Sequence, residues 1–94
     1  MTDKASVFGH GRLVAVVVTY NRLAHLQITL PRLLETAPRH LHAVLVIDNA
    51  STDGTADWLR GQTDARLHAI LSEENLGGAG GFNLGLRRAV EMFD

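Results

Sequence analysis

The chain has 94 residues, a formal net charge of −1 and no cysteine, with 46% hydrophobic and 20% charged residues. This length suits one small domain, and a near-neutral charge without a lysine or arginine cluster gives no reason to expect nucleic acid or an anionic membrane as a partner. The absence of cysteine excludes disulfides, thiolate metal sites and a cysteine nucleophile. The longest uninterrupted apolar run, residues 13–18, is far below the roughly 20 residues that span a bilayer. We therefore expect a cytoplasmic protein, and binding at the inner face of the membrane would need parts of a full-length protein beyond these residues.

Hydrophobic patterns predict alternating strands and helices after a flexible leader of residues 1–12. Residues 13–19 and 43–47 are continuous apolar runs rich in β-branched side chains, which are typical of parallel strands covered on both faces. A stripe of leucines at helical spacing follows the first run; this helix contains Pro31, which should kink it or cost it a hydrogen bond, and ends at Pro38. A short helix carrying Trp58 follows the second run. The first half of the chain therefore predicts two buried strands, each followed by a helix.

The second half of the chain predicts one more strand and one more helix. Residues 67–71 form a shorter apolar run, and apolar residues from Phe82 to Phe93 follow at i, i+4, i+7 spacing. The order βαβαβα with short connections predicts right-handed crossovers. We expect an α/β three-layer sandwich around a parallel sheet, occupying residues 13–94.

Three loops are placed to form a binding site. In an open parallel sheet, ligands bind beyond the carboxyl ends of the strands. That rule selects residues 19–22, 48–51 and 75–83, which are rich in hydrogen-bonding side chains or glycine. Because these loops end strands on the same edge, we expect them to converge on one ligand.

Polar residues in the first two loops allow both functional and structural roles. Asp48 ends the second strand, where a carboxylate can accept hydrogen bonds from a ribose hydroxyl or a base N–H, although Asp and Asn also cap turns at such places. Asn21 is predicted as the N-cap of the first helix, and Ser51, Thr52 and Asp53 favour a similar structural role, because helix N-termini prefer these side chains.

The glycine-rich segment before the last helix is the most distinctive feature of the sequence. Four glycines occupy five positions in residues 77–81. Glycine permits positive φ and close approach of backbone N–H groups, and a helix N-terminus carries a partial positive charge that suits a phosphate. Tight packing of the helix against the sheet and a mobile turn are the structural alternatives. The dinucleotide fingerprint and the P-loop are excluded, because no glycine follows the first strand and no Gly-Lys-Ser/Thr occurs.

Residues 16–22, 46–55 and 74–85 together resemble, in order and spacing, the N-terminal part of the inverting, GT-A-fold glycosyltransferase family 2. The glycine-rich third segment looks most like the rhamnosyl- and galactofuranosyltransferase branches. The resemblance implies the Rossmann-like half of a nucleotide-sugar-binding fold, a UDP- or dTDP-sugar donor, and a carbohydrate or lipid-linked acceptor in cell-wall or polysaccharide biosynthesis. The positions that it implies for nucleotide binding are Thr19, Asn21, Arg22, Asp48, Asn49, Asn75, Gly77, Gly78, Gly81 and Asn83.

The sequence departs from the family pattern by an omission. Family members typically carry an Asp-x-Asp or Asp-Asp motif on the next strand, which holds Mg²⁺ or Mn²⁺, and a carboxylate base further on. No Asp-x-Asp occurs in these 94 residues, so we identify no catalytic or metal-ligating residue and expect this chain alone to be an inactive fragment. The alternative is a non-catalytic nucleotide-binding or dimerisation module with the same half-fold. A homodimer through an exposed sheet edge is a further expectation, because an unpaired edge strand invites pairing.

Overall fold

The computed structural model describes residues 2–9 and 12–93, which form a four-stranded sheet and three helices. The elements are β1 (Thr2–Gly9), β2 (Arg12–Thr19), α1 (Leu23–Leu34), β3 (Ala43–Asp48), α2 (Thr55–Arg60), β4 (Leu67–Leu71) and α3 (Gly77–Phe93). The strands β2, β3 and β4 are parallel neighbours, and β1 pairs antiparallel with the other side of β2. The predicted α/β fold with a parallel sheet is therefore confirmed.

Helices cover both faces of the sheet. On one face, Leu26 and Leu30 of α1 and Leu59 of α2 belong to the same core cluster as alternate residues of β2 and β3. On the other face, Ala89 of α3 packs with Leu45 of β3. Because both faces are covered, β3 is buried at every position, as its continuous apolar run predicts. The three-layer arrangement is confirmed with α1 and α2 in one outer layer and α3 in the other.

The strand β1 replaces the predicted flexible leader over residues 2–9. It pairs with β2 along its whole length, from Thr2 opposite Thr19 to Gly9 opposite Arg12. Its own residues show no clear hydrophobic alternation, and the physical reason for the strand lies in β2, whose outer edge carries backbone groups that need hydrogen-bond partners. Residues 1, 10 and 11 of the expected leader, and Asp94 at the other end, lie outside the described residues.

Two helices differ from their predicted bounds. The helix α1 continues through Pro31 and ends at Leu34, before the predicted stop at Pro38. The helix α3 begins at Gly77 rather than at Phe82, so the glycine-rich segment is its first turn and not a loop. Glycine has a low helix propensity, and its place in this helix is explained below by the packing of α3 on the sheet.

The sheet has β1 at one edge and β4 at the other. The strand β4 is only partly covered, with its central residue exposed, so either edge offers backbone groups for pairing with a second chain. The homodimer stays a prediction. Among residues 2–9 and 12–93, no helix combines the length and the apolar character needed to cross a membrane.

Candidate functional site

The carboxyl ends of β2, β3 and β4 lie side by side, and the loops that follow them are joined by hydrogen bonds. The backbone N–H of Asn49 donates to the carbonyl oxygen of Thr19 at 2.9 Å. The backbone N–H of Ser72 donates to the carbonyl oxygen of Asp48, also at 2.9 Å. The three predicted loops therefore meet at one edge of the sheet, which we call the carboxyl edge.

Asn21 joins the first loop to the second. Its backbone N–H donates to Ser51 Oγ at 2.9 Å, and its side-chain Oδ1 accepts the N–H of Thr52 at 2.7 Å. Asn21 has a φ of +48°, a left-handed conformation that asparagine adopts more readily than most residues. The predicted N-cap role for Asn21 is wrong, because α1 begins at Leu23 and the N–H of that residue donates to Asp53 Oδ2 at 2.9 Å.

The carboxylate of Asp53 holds the starts of two helices. Besides the N–H of Leu23 in α1, it accepts the hydroxyl of Thr55 at 2.5 Å and the N–H of the same residue at 3.3 Å, at the start of α2. The Thr55 hydroxyl, together with these backbone N–H groups, lowers the pKa of Asp53 below its ordinary value. The structural role predicted for Asp53 is confirmed.

Asn49 joins the second loop to the third. Its side chain has no exposed surface; Nδ2 donates to the carbonyl oxygen of Gly77 at 2.9 Å, and Oδ1 accepts the N–H of Leu76 at 3.2 Å. Within the third loop, Asn75 Oδ1 accepts the N–H of Gly77 at 2.8 Å. Asn49 and Asn75, both predicted to lie at the nucleotide, thus bond to the start of α3 in this structure.

Asp48 keeps one carboxylate oxygen available. The residue ends β3 and is 2% exposed. Its Oδ1 accepts the N–H of Ser51 at 3.2 Å, whereas no described residue donates a hydrogen bond to Oδ2. That oxygen is not fully enclosed, so it remains reachable from solvent. Because Oδ2 is reachable and has no donor among the described residues, it is well placed to accept a hydrogen bond from a ligand.

The glycines of α3 have two different roles. Gly77 has a φ of +75° and begins the helix at the carboxyl edge, where the N–H groups of a first turn have no partner in a preceding turn. Gly81 and Gly85 face the sheet instead, since a Cβ on Gly81 would lie 2.7 Å from Val18 Cγ1 and one on Gly85 would meet Val16 more closely still. Gly81, predicted at the nucleotide, therefore serves the close packing of α3 on β2 and β3.

The other predicted residues differ in exposure. Thr19 is completely buried at the end of β2, and Arg22 is exposed directly before α1. Gly78 lies half-buried in the first turn of α3, and Asn83 is exposed further along that helix. The structure thus brings Thr19, Arg22 and Gly78 to the carboxyl edge, and contact of any of the four with a nucleotide stays a prediction.

At the amino ends of the parallel strands, opposite the carboxyl edge, Arg66 holds the end of α1 in place. The sequence did not indicate this role. Its guanidinium donates to the carbonyl oxygen of Leu34, the last residue of α1, at 2.6 Å and to that of Thr36, just after the helix, at 2.7 Å. It also pairs with Asp64 at 3.3 Å, and the bond from the backbone N–H of Arg66 to that carboxylate is the main reason why the pKa of Asp64 is lowered. A single arginine before a strand carries no sequence signal of such a clamp.

A metal site is not assembled in the part of the chain that the structure describes. No three histidine, aspartate or glutamate side chains there lie close enough together to hold a metal ion. We therefore derive no metal-dependent step for these residues. The expectation of Mg²⁺ or Mn²⁺ in a full-length enzyme stays a prediction.

Comparison with known proteins places the chain in a family. The family model described as "Glycosyl transferase family 2" matches residues 14–91, which is most of the chain. The chain belongs to glycosyl transferase family 2. The matched span contains the whole carboxyl edge, from the end of β2 to the first turns of α3.

Three relatives show how much of a family 2 protein the chain represents. It is 38% identical over 87 residues to the undecaprenyl-phosphate mannosyltransferase of Micrococcus luteus, covering 86% of this chain and 35% of that protein. It is 36% identical over 97 residues to the polyprenol monophosphomannose synthase of Mycolicibacterium smegmatis, covering 96% and 36%. A putative teichuronic acid biosynthesis glycosyltransferase of Bacillus subtilis is 35% identical over 80 residues, covering 82% and 31%. The chain spans about a third of the length of these curated relatives. No solved structure shows a significant match to it.

The resemblance drawn from the three sequence segments is confirmed at the level of the family. The names of the three relatives include neither rhamnosyl nor galactofuranosyl transfer. That finer assignment stays a prediction.

Proposed function

We propose that this chain holds the nucleotide part of a nucleoside-diphosphate sugar at the carboxyl edge, for sugar transfer with inversion by the whole protein. The observation that carries the proposal is the environment of Asp48. The residue is 2% exposed, one of its oxygens is fixed by the N–H of Ser51, and the other has no donor among the described residues. A ribose hydroxyl or a base N–H would donate to this oxygen, and a charged acceptor makes such a hydrogen bond stronger than a neutral one does.

The diphosphate would lie against the first turn of α3. Helix N-termini bind phosphates through unpaired N–H groups and the positive end of the helix dipole. Asn49 bonds to the carbonyl oxygen of Gly77, which keeps this turn beside Asp48. Arg22, exposed in the first loop, is a second group that would contact the diphosphate. A carboxylate for the nucleoside and N–H groups for the phosphates thus lie on adjacent loops.

The acceptor is proposed from the relatives. Two of their names contain a polyprenyl lipid, undecaprenyl phosphate or polyprenol, together with mannose or its transfer. The third contains teichuronic acid biosynthesis. These similarities support a lipid-linked or polysaccharide acceptor for the whole protein, acting from the cytoplasm at the inner face of the membrane. The metal ion and the catalytic base of the transfer belong, in this proposal, to the whole protein.

The proposal is tested by titrating the chain with UDP, dTDP and GDP while following backbone amide signals by NMR. One of these diphosphates should shift signals of all three loops. Asp48→Asn keeps the size of the side chain and an acceptor for Ser51, but it turns N–H groups toward the ligand's donor. It should weaken binding about 5- to 150-fold, because an unmatched partner costs about 1–3 kcal/mol.

Asp57→Asn is the matched control, because this carboxylate lies on α2 with its side chain 86% exposed, and it should leave affinity unchanged. The proposal is wrong if folded wild-type chain shows no shifts at millimolar nucleotide, or if Asp48→Asn binds as tightly as the wild type does.

A further inference from the structure

Asn49 is the buried side chain that joins the second loop to the third, and we propose that it sets the geometry of nucleotide binding without touching the nucleotide. In this role Asn49 is a positioning residue that acts through the start of α3. The inference rests on the proposed function, because it concerns the same site. It assigns to Asn49 a different task from that of its neighbour Asp48.

The carboxamide of Asn49 is fully used and fully enclosed. Its side chain has no exposed surface, so a ligand at the carboxyl edge has no access to it. One end donates to the carbonyl oxygen of Gly77 at 2.9 Å, and the other accepts the N–H of Leu76 at 3.2 Å. Two bonds to successive residues fix both the position and the direction of the chain where α3 begins.

The side chain of Asn49 can be changed without displacing Asp48. The end of β3 is held by backbone bonds, from the N–H of Asn49 to Thr19 and from the N–H of Ser72 to Asp48, each at 2.9 Å. These bonds do not involve the carboxamide. Loss of the carboxamide should therefore release the start of α3 and leave the Asp48 carboxylate in place.

Gly81 shows that the contact between Asn49 and α3 leaves no spare room. A Cβ on Gly81 would lie 3.2 Å from Nδ2 of Asn49, tighter than an ordinary contact. A side chain larger than glycine at this position would press on Asn49 as well as on Val18, so α3 approaches both residues closely here. Asn49 therefore meets α3 at two places, through its bonds to Leu76 and Gly77 and through its close approach to Gly81.

The position requires a side chain that both donates and accepts. An ionised aspartate has only acceptors, and its charge would face the carbonyl oxygen of Gly77. A protonated aspartate regains an O–H donor of nearly the same shape as the amide. Asn49→Asp should therefore be defective at neutral pH and recover as its carboxyl group takes up a proton, which is a chemical signature that a purely steric role would not produce.

The test uses two variants of the 94-residue chain and two readouts, namely hydrogen exchange of the Leu76 amide without nucleotide and the affinity for the nucleoside diphosphate that the wild type binds. Asn49→Ala should speed the exchange and weaken the affinity, each about tenfold, the loss expected for a hydrogen bond of this kind. Asn49→Asp should bind weakly at pH 7 and approach the wild type, compared at the same pH, toward about pH 4. Gln62→Ala is the control, because it removes a carboxamide that donates to the carbonyl oxygen of Trp58 at the end of α2, and it should change neither readout.

Each outcome decides the inference. Unchanged exchange of Leu76 in Asn49→Ala overturns the coupling, and faster exchange with unchanged affinity overturns the role in binding. If Asn49→Ala does not fold, Asn49→Asp decides alone, and failure to recover in acid overturns the proposal. A wild-type chain that binds no nucleotide refutes the proposed function and the positioning role with it, while the exchange measurement still decides separately whether Asn49 holds the start of α3.

Discussion

Replacing Gly81 with alanine tests whether the glycines of α3 serve its packing on the sheet. The new Cβ would lie 2.7 Å from Val18 Cγ1 and 3.2 Å from Asn49 Nδ2. Carbon atoms pack at about 3.5–4.0 Å, so the nearer contact is roughly 1 Å too short. Neither neighbour can move aside, because Val18 is a fully buried β-branched residue of a central strand and Asn49 is held by its two bonds. We expect α3 to be lifted from the sheet.

The magnitude follows from two opposing effects. Overpacking of this kind costs about 1–3 kcal/mol, whereas alanine in place of a helical glycine recovers about 0.5–1 kcal/mol. The central values of these two effects leave a net destabilisation of about 1 kcal/mol, which lowers the Tm of a domain of this size by roughly 4–8 °C. Nucleotide affinity should fall as well, because the displaced helix pulls its first turn away from Asp48.

Thermal unfolding followed by circular dichroism measures the effect, with Gly61→Ala as the matched control. Gly61 lies at the end of α2 with φ −81° and ψ −6°, and a Cβ there would make an ordinary contact of 3.5 Å with the carbonyl oxygen of Trp58. This variant should be neutral or gain about 0.4–1 kcal/mol. If Gly81→Ala is as stable as the wild type, or gains stability as Gly61→Ala does, the packing argument is refuted.

Two further changes test the hydrogen-bond networks at the carboxyl and amino ends of the parallel strands. Because the Thr55 hydroxyl holds the pKa of Asp53 below its ordinary value, the stabilisation it brings is present above that ordinary value and is lost as pH falls through the lowered one. Asp53→Asn should thus be less stable at pH 7 and lose less stability between about pH 5 and pH 2 in urea unfolding, with Asp57→Asn as control; an acid decline as steep as that of the wild type would contradict this. Arg66→Lys loses the two guanidinium nitrogens that donate to the carbonyl oxygens of Leu34 and Thr36. The substitution should cost about 1–2 kcal/mol of stability. Nucleotide affinity measured by NMR should stay unchanged. A simultaneous loss of affinity would show that the two ends of the sheet are not independent.

The sheet was predictable because a parallel strand covered on both faces needs a continuous apolar run. The prediction of residues 43–47 and the observed β3, Ala43–Asp48, differ by one residue for this reason. The strand β1 was not predictable from its own residues, because its pairing depends on the open edge of β2. The hydrophobic pattern of a segment indicates which of its faces are buried. It gives no information about a neighbouring strand whose edge needs a hydrogen-bond partner.

For the candidate site, residue types and spacing predicted which loops would meet but not which atoms would remain available. Asp48 and Asn49 are adjacent polar residues that the sequence predicts alike for nucleotide binding. In the structure both ends of the Asn49 amide are hydrogen-bonded, whereas one oxygen of Asp48 has no donor among the described residues. Gly77 and Gly81 also look equivalent, but the phase of the helix turns Gly81 toward Val18. These distinctions arise from tertiary packing, which local sequence does not encode.

The antiparallel pairing of β1 has a practical consequence for handling this chain. Because Thr2 lies opposite Thr19, the first residues of β1 lie beside the carboxyl edge, whereas Phe93 at the end of α3 packs near His42 and His68 at the far end of the sheet. A purification tag or a fluorophore attached ahead of Thr2 would crowd the loops of the carboxyl edge. Immobilising the chain through a tag placed after Phe93 would leave those loops facing the solution, which makes it the orientation of choice for surface-based binding measurements.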